Sequence, residues 1–314
     1  MSLEDPTLVP QQQLLADFAR AYLAEQRRMS RWRWIWRVLW VGLLLALIAA
    51  TLQTLPSAKS PVTPHTALVE IRGEIGVETE ANADGLNSAL KSAFEDQGAQ
   101  AVVIRLNSPG GSPVQAGLIN DEIIRLKKLH KKKVYAVCEE MCASAAFYIA
   151  VAADEIYVDK ASIVGSIGVL MDGFGFTGVM EKLGVERRLM TAGRNKAMLD
   201  PYSPRKPEQD AYAQAMLDQI HQQFIMVVRQ GRGKRLKENE DTFSGLFWNG
   251  EQAIKLGLAD HLGSLEHVAR DVVKAEDVID YTVKENIAER LAKRFGAAMG
   301  AGAVHAMRSA VTLR

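Results

Sequence analysis

Apolar and polar residues follow each other along the chain in patterns that predict strands and helices in turn. Four apolar runs have the length of strands, and the second is nearly continuous, as in a buried strand: 68–71, 101–106, 134–138 and 155–158. Three stretches favour helices, the last with apolar residues along one face: 114–130, 144–152 and 207–229. The repeated order of strand, tight turn and helix predicts an α/β domain whose ligands bind at the strand ends.

An apolar run over residues 38–55 predicts a transmembrane anchor. Its 18 residues carry no charge, and they would form about 27 Å of helix, which just spans a bilayer core. Five arginines precede the run: Arg27, Arg28, Arg31, Arg33 and Arg37. Four tryptophans would lie at the membrane interface: Trp32, Trp34, Trp36 and Trp40. Since only Lys59 follows closely, the charge bias places residues 1–37 in the cytoplasm and exports the rest.

Two alternatives to an uncleaved anchor are less favoured. A cleaved signal peptide would need a charged region of 37 residues, and no convincing small-residue cleavage site follows the apolar run. A buried core helix would not explain arginines that abut tryptophans. We therefore expect a bacterial inner-membrane protein with a single span, a cytoplasmic N-terminus and a periplasmic domain.

The chain divides into five predicted segments. Prolines at positions 56, 61 and 64 mark a linker, and the folded domain begins near Ala67. The tail is compatible with docking on a neighbour, lying on a membrane surface or disorder. The segments are a cytoplasmic part at 1–37, the anchor at 38–55, the linker at 56–66, the main domain at 67–286 and the tail at 287–314.

Composition is that of an ordinary folded protein. The 314 residues are 48% hydrophobic and 24% charged, which suffices for a substantial core. The 38 basic and 37 acidic residues give a net charge of +1. With neither a global positive charge nor a nucleic-acid motif, we expect no nucleic-acid partner.

The two cysteines, Cys138 and Cys142, are four residues apart. A regular strand would separate their Cα atoms by about 13 Å, too far for a disulfide, whereas a helical turn could bring them into range. No second pair of cysteines or histidines completes a metal-ligand set. We expect two buried thiols and no metal.

Ser144 lies between alanines where a predicted strand meets a predicted helix. Such a junction leaves a hydroxyl accessible beside free helix N–H groups, but the same serine could simply be an N-cap. The turn at 107–111, Asn-Ser-Pro-Gly-Gly, follows the strand over 101–106 and allows close backbone approach to a substrate. On its own that turn could equally bind a phosphate or change the chain direction. Together the two features suggest a nucleophile and an anion-binding backbone.

Lys196 is the candidate general base. It lies among small and apolar residues, as desolvation of a lysine would require, and Arg194 is near enough in sequence to disfavour its charge. A lone lysine is usually a surface residue, so only the combination with Ser144 makes it a candidate. None of the six histidines adjoins these motifs, although the members of a catalytic triad need only meet in space. The histidines are His65, His130, His221, His261, His267 and His305.

Four segments together resemble the motifs of the signal peptide peptidase A family, membrane-anchored serine proteases of peptidase family S49. They occur in order at 107–111, 142–150, 165–169 and 249–260, within a span that covers most of the chain. A single anchor with one catalytic region resembles the family's short form. The resemblance implies a fold like that of ClpP and the crotonases, built from repeated β-β-α units, and assembly into a homo-oligomeric ring.

The resemblance also implies roles for individual residues. Ser144 matches the nucleophile and Lys196 the general base of a Ser-Lys dyad, and Ser166 matches the serine that orients the lysine. The amides of Gly111 and Ala145 match the oxyanion donors. The implied activity is hydrolysis of peptide bonds in remnant signal peptides or other unfolded hydrophobic segments, without a cofactor, metal or nucleotide.

One departure from the family concerns the residues after the nucleophile. The family commonly has two glycines where this chain has Ala145 and Ala146. If those positions need a positive φ, alanine would strain the turn by about 1–2 kcal/mol, whereas in a helix alanine is harmless or better.

Two other function classes remain open from the sequence. A catalytically inactive or partner-binding scaffold on the same fold, for example one working with stomatin-like membrane proteins, would leave Ser144 unlabelled by a serine-reactive probe. An acyl-CoA-processing enzyme of the crotonase type would bind coenzyme A in solution, but it needs no Ser-Lys pair, and an exported domain would not meet that cofactor.

Overall fold

The computed structural model describes residues 34–46 and 63–283. The chain forms two compact units, residues 1–61 and 62–314. In the first unit, residues 34–46 form helix α1 with exposed side chains. Across the two described ranges, no helix combines the length and apolar character that crossing a membrane requires. The rest of the predicted anchor, most of the N-terminal segment and the tail at 287–314 lie outside the described residues.

The second unit alternates strands and helices, which confirms the predicted α/β class. Its strands are β1 (His65–Arg72), β2 (Ala99–Ser108), β3 (Lys133–Ala143), β4 (Glu155–Val158), β5 (Ile163–Gly165), β6 (Phe247–Trp248), β7 (His261–Leu262) and β8 (Val278–Asp280). Its α-helices are α2 (Ala83–Glu95), α3 (Pro113–His130), α4 (Ala145–Ala150), α5 (Thr177–Lys182), α6 (Pro207–Arg232), α7 (Gly250–Lys255) and α8 (Leu265–His267). A 3-10 turn at Gly233–Arg235 follows α6, and a π-helical turn at Val268–Val273 follows α8.

The strands described form one sheet of eight, which is parallel except where β5 meets β6. Its order is β6-β5-β3-β2-β1-β8, and β4 pairs with β3 and β7. The long strand β3 pairs with β4 through its first half and with β5 through its last residues. Consequently the end of β3, where Ser144 follows, lies between β2 and β5.

All four predicted strands and three predicted helices are present: β1, β2 and β3 are longer than the patterns indicated, β4 has the predicted bounds, and α4 is shorter. Helix α2 was not predicted. It begins at the cap Asn82, whose side chain accepts a hydrogen bond from the amide of Gly85. Three apolar residues of α2, Leu86, Leu90 and Phe94, pack into the main core against apolar residues of β1 and β2.

The long helix α6 is attached to the sheet by a buried ion pair. The Arg232 guanidinium is fully buried and donates to both carboxylate oxygens of Asp260, at 2.9 and 2.7 Å. It also donates to the carbonyl of Gly257, while Asp260 accepts from the amide of Ile156 in β4. Burial alone would raise the pKa of Asp260, but the hydrogen bonds and charge of Arg232 outweigh it, and the pKa lies below its ordinary value.

Candidate active site

Ser144 has an unusual backbone conformation at the junction between β3 and α4. Its φ is 54° and its ψ is −123°, a region that costs a non-glycine residue about 1–3 kcal/mol. The amide of Ser144 donates to the carbonyl of Gly165 in β5, which holds the turn in place. Its side chain makes no capping hydrogen bond to α4. Ser144 thus occupies the N-cap position of α4, but its hydroxyl is not used for capping and is free for chemistry.

Gly110 allows the turn at 107–111 to pack directly against the serine. A Cβ atom on Gly110 would lie 2.7 Å from the Ser144 Cβ and 2.9 Å from the Ala143 carbonyl oxygen. The next glycine, Gly111, has a φ of 142°, and a Cβ there would lie 2.1 Å from the carbonyl oxygen of Ile75. Both positions need glycine for space as well as for conformation.

Gly111 and Ala145 line the same small cavity as Ser144. Among the described residues, neither Gly111 nor Ala145 donates its amide to a protein acceptor, and Ala145 is the first residue of α4, where helix amides have no partner. The cavity measures about 50 Å³, and its lining includes Gly111, Ser144, Ala145, Val169, Ile220 and Phe224. The geometry thus joins a serine hydroxyl, two available N–H donors and an apolar wall, as acyl transfer requires.

Ala145 and Ala146 have no positive φ, because both lie within α4. The left-handed residue in this turn is Ser144 itself. Alanine therefore introduces no backbone strain at the two positions where the family commonly has glycine, and its helix propensity favours α4. Of the two outcomes expected for alanine at these positions, the structure shows the harmless one, a helical backbone.

Ser166 lies beside the Ser144 turn. Gly165, its neighbour, pairs with Ala143 in the sheet and accepts the hydrogen bond from the Ser144 amide. Ser166 is half-buried, has a φ of 50°, and donates its amide to the carbonyl of Leu246. Two serines with left-handed backbone thus follow neighbouring strands of the sheet.

Lys196 lies elsewhere, in an exposed turn between α5 and α6. Its amide donates to the carbonyl of Gly193 at 3.1 Å. Within the described part of one chain, its side chain makes no hydrogen bond or ion pair with Ser144 or Ser166. The structure therefore brings four of the five predicted site residues together and leaves the lysine apart from them.

The structure adds His221, which sequence reasoning passed over. This residue lies on α6, one position after the cavity-lining Ile220, and its Nε2 atom lies 3.0 Å from the carbonyl oxygen of Ile167. Its only sequence signal is its place on the apolar side of α6. That side is also less regular than predicted, because Phe224 and Val228 are buried whereas Tyr212 is exposed.

The cysteines are free and buried, as expected, but their spacing along β3 differs from that of a regular strand. Cys138 pairs with Leu106 and Cys142 with Ser108, so four steps of β3 match two steps of β2. The irregular register brings the thiols together. Burial, together with a hydrogen bond that the Cys142 thiol donates to Cys138, raises the pKa of Cys142 well above its ordinary value. Both thiols therefore belong to the core that supports the Ser144 turn.

A strained serine at a strand-to-helix turn, with unused amides beside it, is the site architecture of a serine hydrolase. The model of peptidase family S49 matches residues 127–278, a span that contains Ser144, Ser166 and Lys196. A putative protease of Synechocystis sp. is 32% identical over 209 residues, which cover 66% of this chain and 73% of that protein. The chain belongs to peptidase family S49, the signal peptide peptidase A family.

Other relatives are longer than the matched region. A putative signal peptide peptidase SppA of Enterococcus faecium is 29% identical, with 65% of this chain and 59% of that protein aligned. A Brucella abortus protein named Na(+)/H(+) antiporter NhaA is 42% identical over 229 residues, which cover 73% of this chain. The chain spans only 31% of that antiporter's length.

Among solved structures, a mutant of the 1510-N membrane-bound stomatin-specific protease is similar to this chain. The sequences are 15% identical, and the TM-score is 0.40. The alignment covers 71% of this chain and 99% of that protein.

Proposed function

We propose that this protein is a membrane-anchored serine endopeptidase that uses a Ser144–Lys196 dyad to hydrolyse peptide bonds. The observation that carries the proposal is the strained Ser144 turn, which lines a cavity together with Gly111 and Ala145, whose amides have no acceptor among the described residues. Backbone strain persists only where the surrounding structure maintains it, and it concentrates at functional sites. Membership of family S49 supports the same reaction.

In the proposed reaction, the Ser144 Oγ attacks the substrate carbonyl carbon while the Lys196 Nζ accepts the hydroxyl proton. The Gly111 and Ala145 amides donate to the oxyanion that forms. Lys196 then returns the proton to the leaving amine, and water hydrolyses the acyl-enzyme by the same route. Ser166 orients Lys196 throughout. Because only a neutral amine accepts a proton, the rate rises toward alkaline pH.

The proposed dyad requires the segment that carries Lys196 to approach Ser144. Two routes meet this requirement: rearrangement of the segment within one chain, or contribution of the lysine by an adjacent copy in the proposed ring. A mixture of Ser144→Ala and Lys196→Ala chains separates them. Activity in the mixture, with none in either parent, would assign the lysine to a different chain from the serine.

Self-association is supported by exposed apolar side chains between β5 and α6. Leu170 and Phe174 are each 80% exposed, and Met190 is 95% exposed, which is unusual for large apolar residues that lie near one another in sequence. A ring of copies on the ClpP and crotonase plan would bury them. Sedimentation velocity on purified protein tests this, and a monomer at micromolar concentration would contradict the ring.

The proposed location is the bacterial inner membrane, with the catalytic domain in the periplasm and remnant signal peptides or unfolded hydrophobic segments as substrates. The support is the uncharged run over 38–55 with arginines before it, and the apolar wall formed by Val169, Ile220 and Phe224. Protease digestion of spheroplasts tests the location. Resistance of the domain to digestion would place it in the cytoplasm.

Fluorophosphonate labelling followed by peptide mapping is the decisive test of the activity. We expect a single labelled peptide that contains Ser144, and no label on Ser144→Ala or on wild-type protein unfolded beforehand. Unlabelled native wild-type protein would favour the inactive scaffold instead.

A further inference from the structure

Three consecutive residues beside the nucleophile are each held by a hydrogen bond to a different part of the chain. The carbonyl of Gly165 accepts from the Ser144 amide, the amide of Ser166 donates to the carbonyl of Leu246, and the carbonyl of Ile167 accepts from His221. The first two bonds join main chain to main chain. The third depends on a side chain, so substitution can remove it without altering the backbone.

The geometry fixes which group donates in the third bond. A carbonyl oxygen only accepts, so the His221 Nε2 atom, 3.0 Å from the Ile167 oxygen, must carry a proton. His221 is half-buried on the inner side of α6, and Phe224, one turn further along the helix, is buried and lines the cavity at Ser144. The imidazole thus connects the helix that forms the cavity wall to the turn that carries Ser166.

The turn needs such support because its backbone is strained. Gly165 has a φ of 107° and Ser166 a φ of 50°, and the second value is uncommon for a residue with a side chain. Ile167, the next residue, is fully buried. The hydrogen bond to the Ile167 carbonyl therefore restrains the backbone immediately after Ser166. Rotation of the backbone there would move the Ser166 hydroxyl.

We propose that His221 is a positioning residue for catalysis, which holds the 165–167 turn so that Ser166 can orient Lys196. The inference rests on the proposed function. His221 does not line the cavity at Ser144, so it acts through the turn rather than on the reacting atoms. Its contribution is chiefly to the rate of the chemical step, because the carbonyl that it bonds directly follows Ser166, whereas Val169, the wall residue of that segment, lies two positions beyond Ile167.

The test compares three substitutions at one position in the full-length protein. Glutamine places an N–H₂ donor near the position of Nε2, glutamate has the same shape without a donor, and leucine removes polarity altogether. We expect His221→Leu and His221→Glu to lower kcat about tenfold or more, with KM within about twofold of wild type. His221→Gln should recover kcat to within about threefold of wild type. Gln222→Leu, at the next and exposed position of α6, is the matched control and should leave both parameters unchanged.

Two readouts distinguish positioning from a merely structural role. The rate of Ser144 labelling by a fluorophosphonate should fall in parallel with kcat, and the melting temperatures should stay above the assay temperature. If His221→Leu does not fold, the glutamine and glutamate variants still supply the comparison. Wild-type kcat in His221→Glu, or equal losses in the glutamine and glutamate variants, would overturn the proposal. Wild-type protein without Ser144 labelling would instead refute the proposed function.

Discussion

Gly110 and Ser144 are packed so closely that a single methyl group on the glycine would lie 2.7 Å from the Cβ of the serine. The contact joins the turn after β2 to the turn after β3, and both turns have positive φ at the touching residues. Neither turn can therefore relax without moving the other. Gly111, the next residue of the first turn, lines the same cavity as Ser144.

We predict that Gly110→Ala lowers kcat/KM by about 100-fold, because the added Cβ displaces Ser144 relative to the proposed oxyanion donors, the amides of Gly111 and Ala145. The backbone cost of alanine at φ +109° should also lower the free energy of unfolding by about 1–3 kcal/mol. Gly117→Ala in α3 is the matched control, since nothing lies within 4 Å of a Cβ built there. This variant should keep full activity, and its free energy of unfolding should rise by up to about 1 kcal/mol. Peptide hydrolysis and urea denaturation measure both, and an active Gly110→Ala would contradict the assignment of the turn.

Ser144→Ala and Lys196→Ala should each abolish peptide hydrolysis while leaving the fold intact. The first change removes the nucleophile, and the second removes the proposed proton acceptor. Lys182→Ala, an exposed lysine in the last turn of α5, controls for loss of positive charge in the same region. Steady-state hydrolysis of a fluorogenic peptide and circular dichroism supply the measurements. Full activity in either purified variant would eliminate the dyad.

The pH dependence of the rate offers a separate test of the base. A lysine accepts a proton only when neutral, so a lysine base predicts that kcat/KM rises with pH. The profile is best recorded with a peptide whose own groups do not titrate over the pH range measured. An optimum confined to acidic pH would argue for a carboxylate or another base.

Local patterns predicted the parts of this structure that local physics determines. The apolar run over 101–106 and the small residues around Ser144 placed a strand, a turn and a helix correctly, because burial and helix geometry act over a few residues. The irregular register that brings Cys138 beside Cys142 was not foreseen. Register depends on which strands become neighbours, and four steps of β3 match two of β2 only in the assembled sheet.

The supporting residues of the site were harder to predict for the same reason. His221 lies 54 positions from Ile167 in sequence, and a single histidine in a helical pattern carries no signal of its partner. Lys196 was predicted from its combination with Ser144 and from the family's motif order. In the structure Lys196 is exposed, so the motif order predicted a role for it but no position beside Ser144.

Arg232→Met should destabilise the fold strongly, by about 3 kcal/mol, because it removes the buried bidentate partner of Asp260 and leaves that carboxylate only the longer contact with the half-exposed Arg235, at 3.3 Å. Arg229→Met is the matched control on the same helix. Arg229 pairs with Glu238 at 3.0 Å, but both side chains are about half exposed, so its loss should cost at most about 1 kcal/mol. Urea denaturation at neutral pH measures both variants. Equal stability of the two would show that the buried pair contributes no more than a surface pair.

The same ion pair should make stability depend on pH in acid. The pKa of Asp260 is lower in the folded protein than its ordinary value of about 3.9, so the folded state binds that proton more weakly than the unfolded chain. The contribution of the ionised Asp260 to the free energy of unfolding is therefore complete above about pH 4, and it is lost as the pH falls through the pKa that Asp260 has in the folded state. We expect Asp260→Asn to be less stable than wild type at neutral pH, and the gap in unfolding free energy to narrow as pH drops below about 4. Asp271→Asn, at an exposed carboxylate paired with Arg270, should show little gap at any pH because solvent screens that pair. A gap for Asp260→Asn that stays constant down to the acid transition would mean that its effect is packing rather than charge.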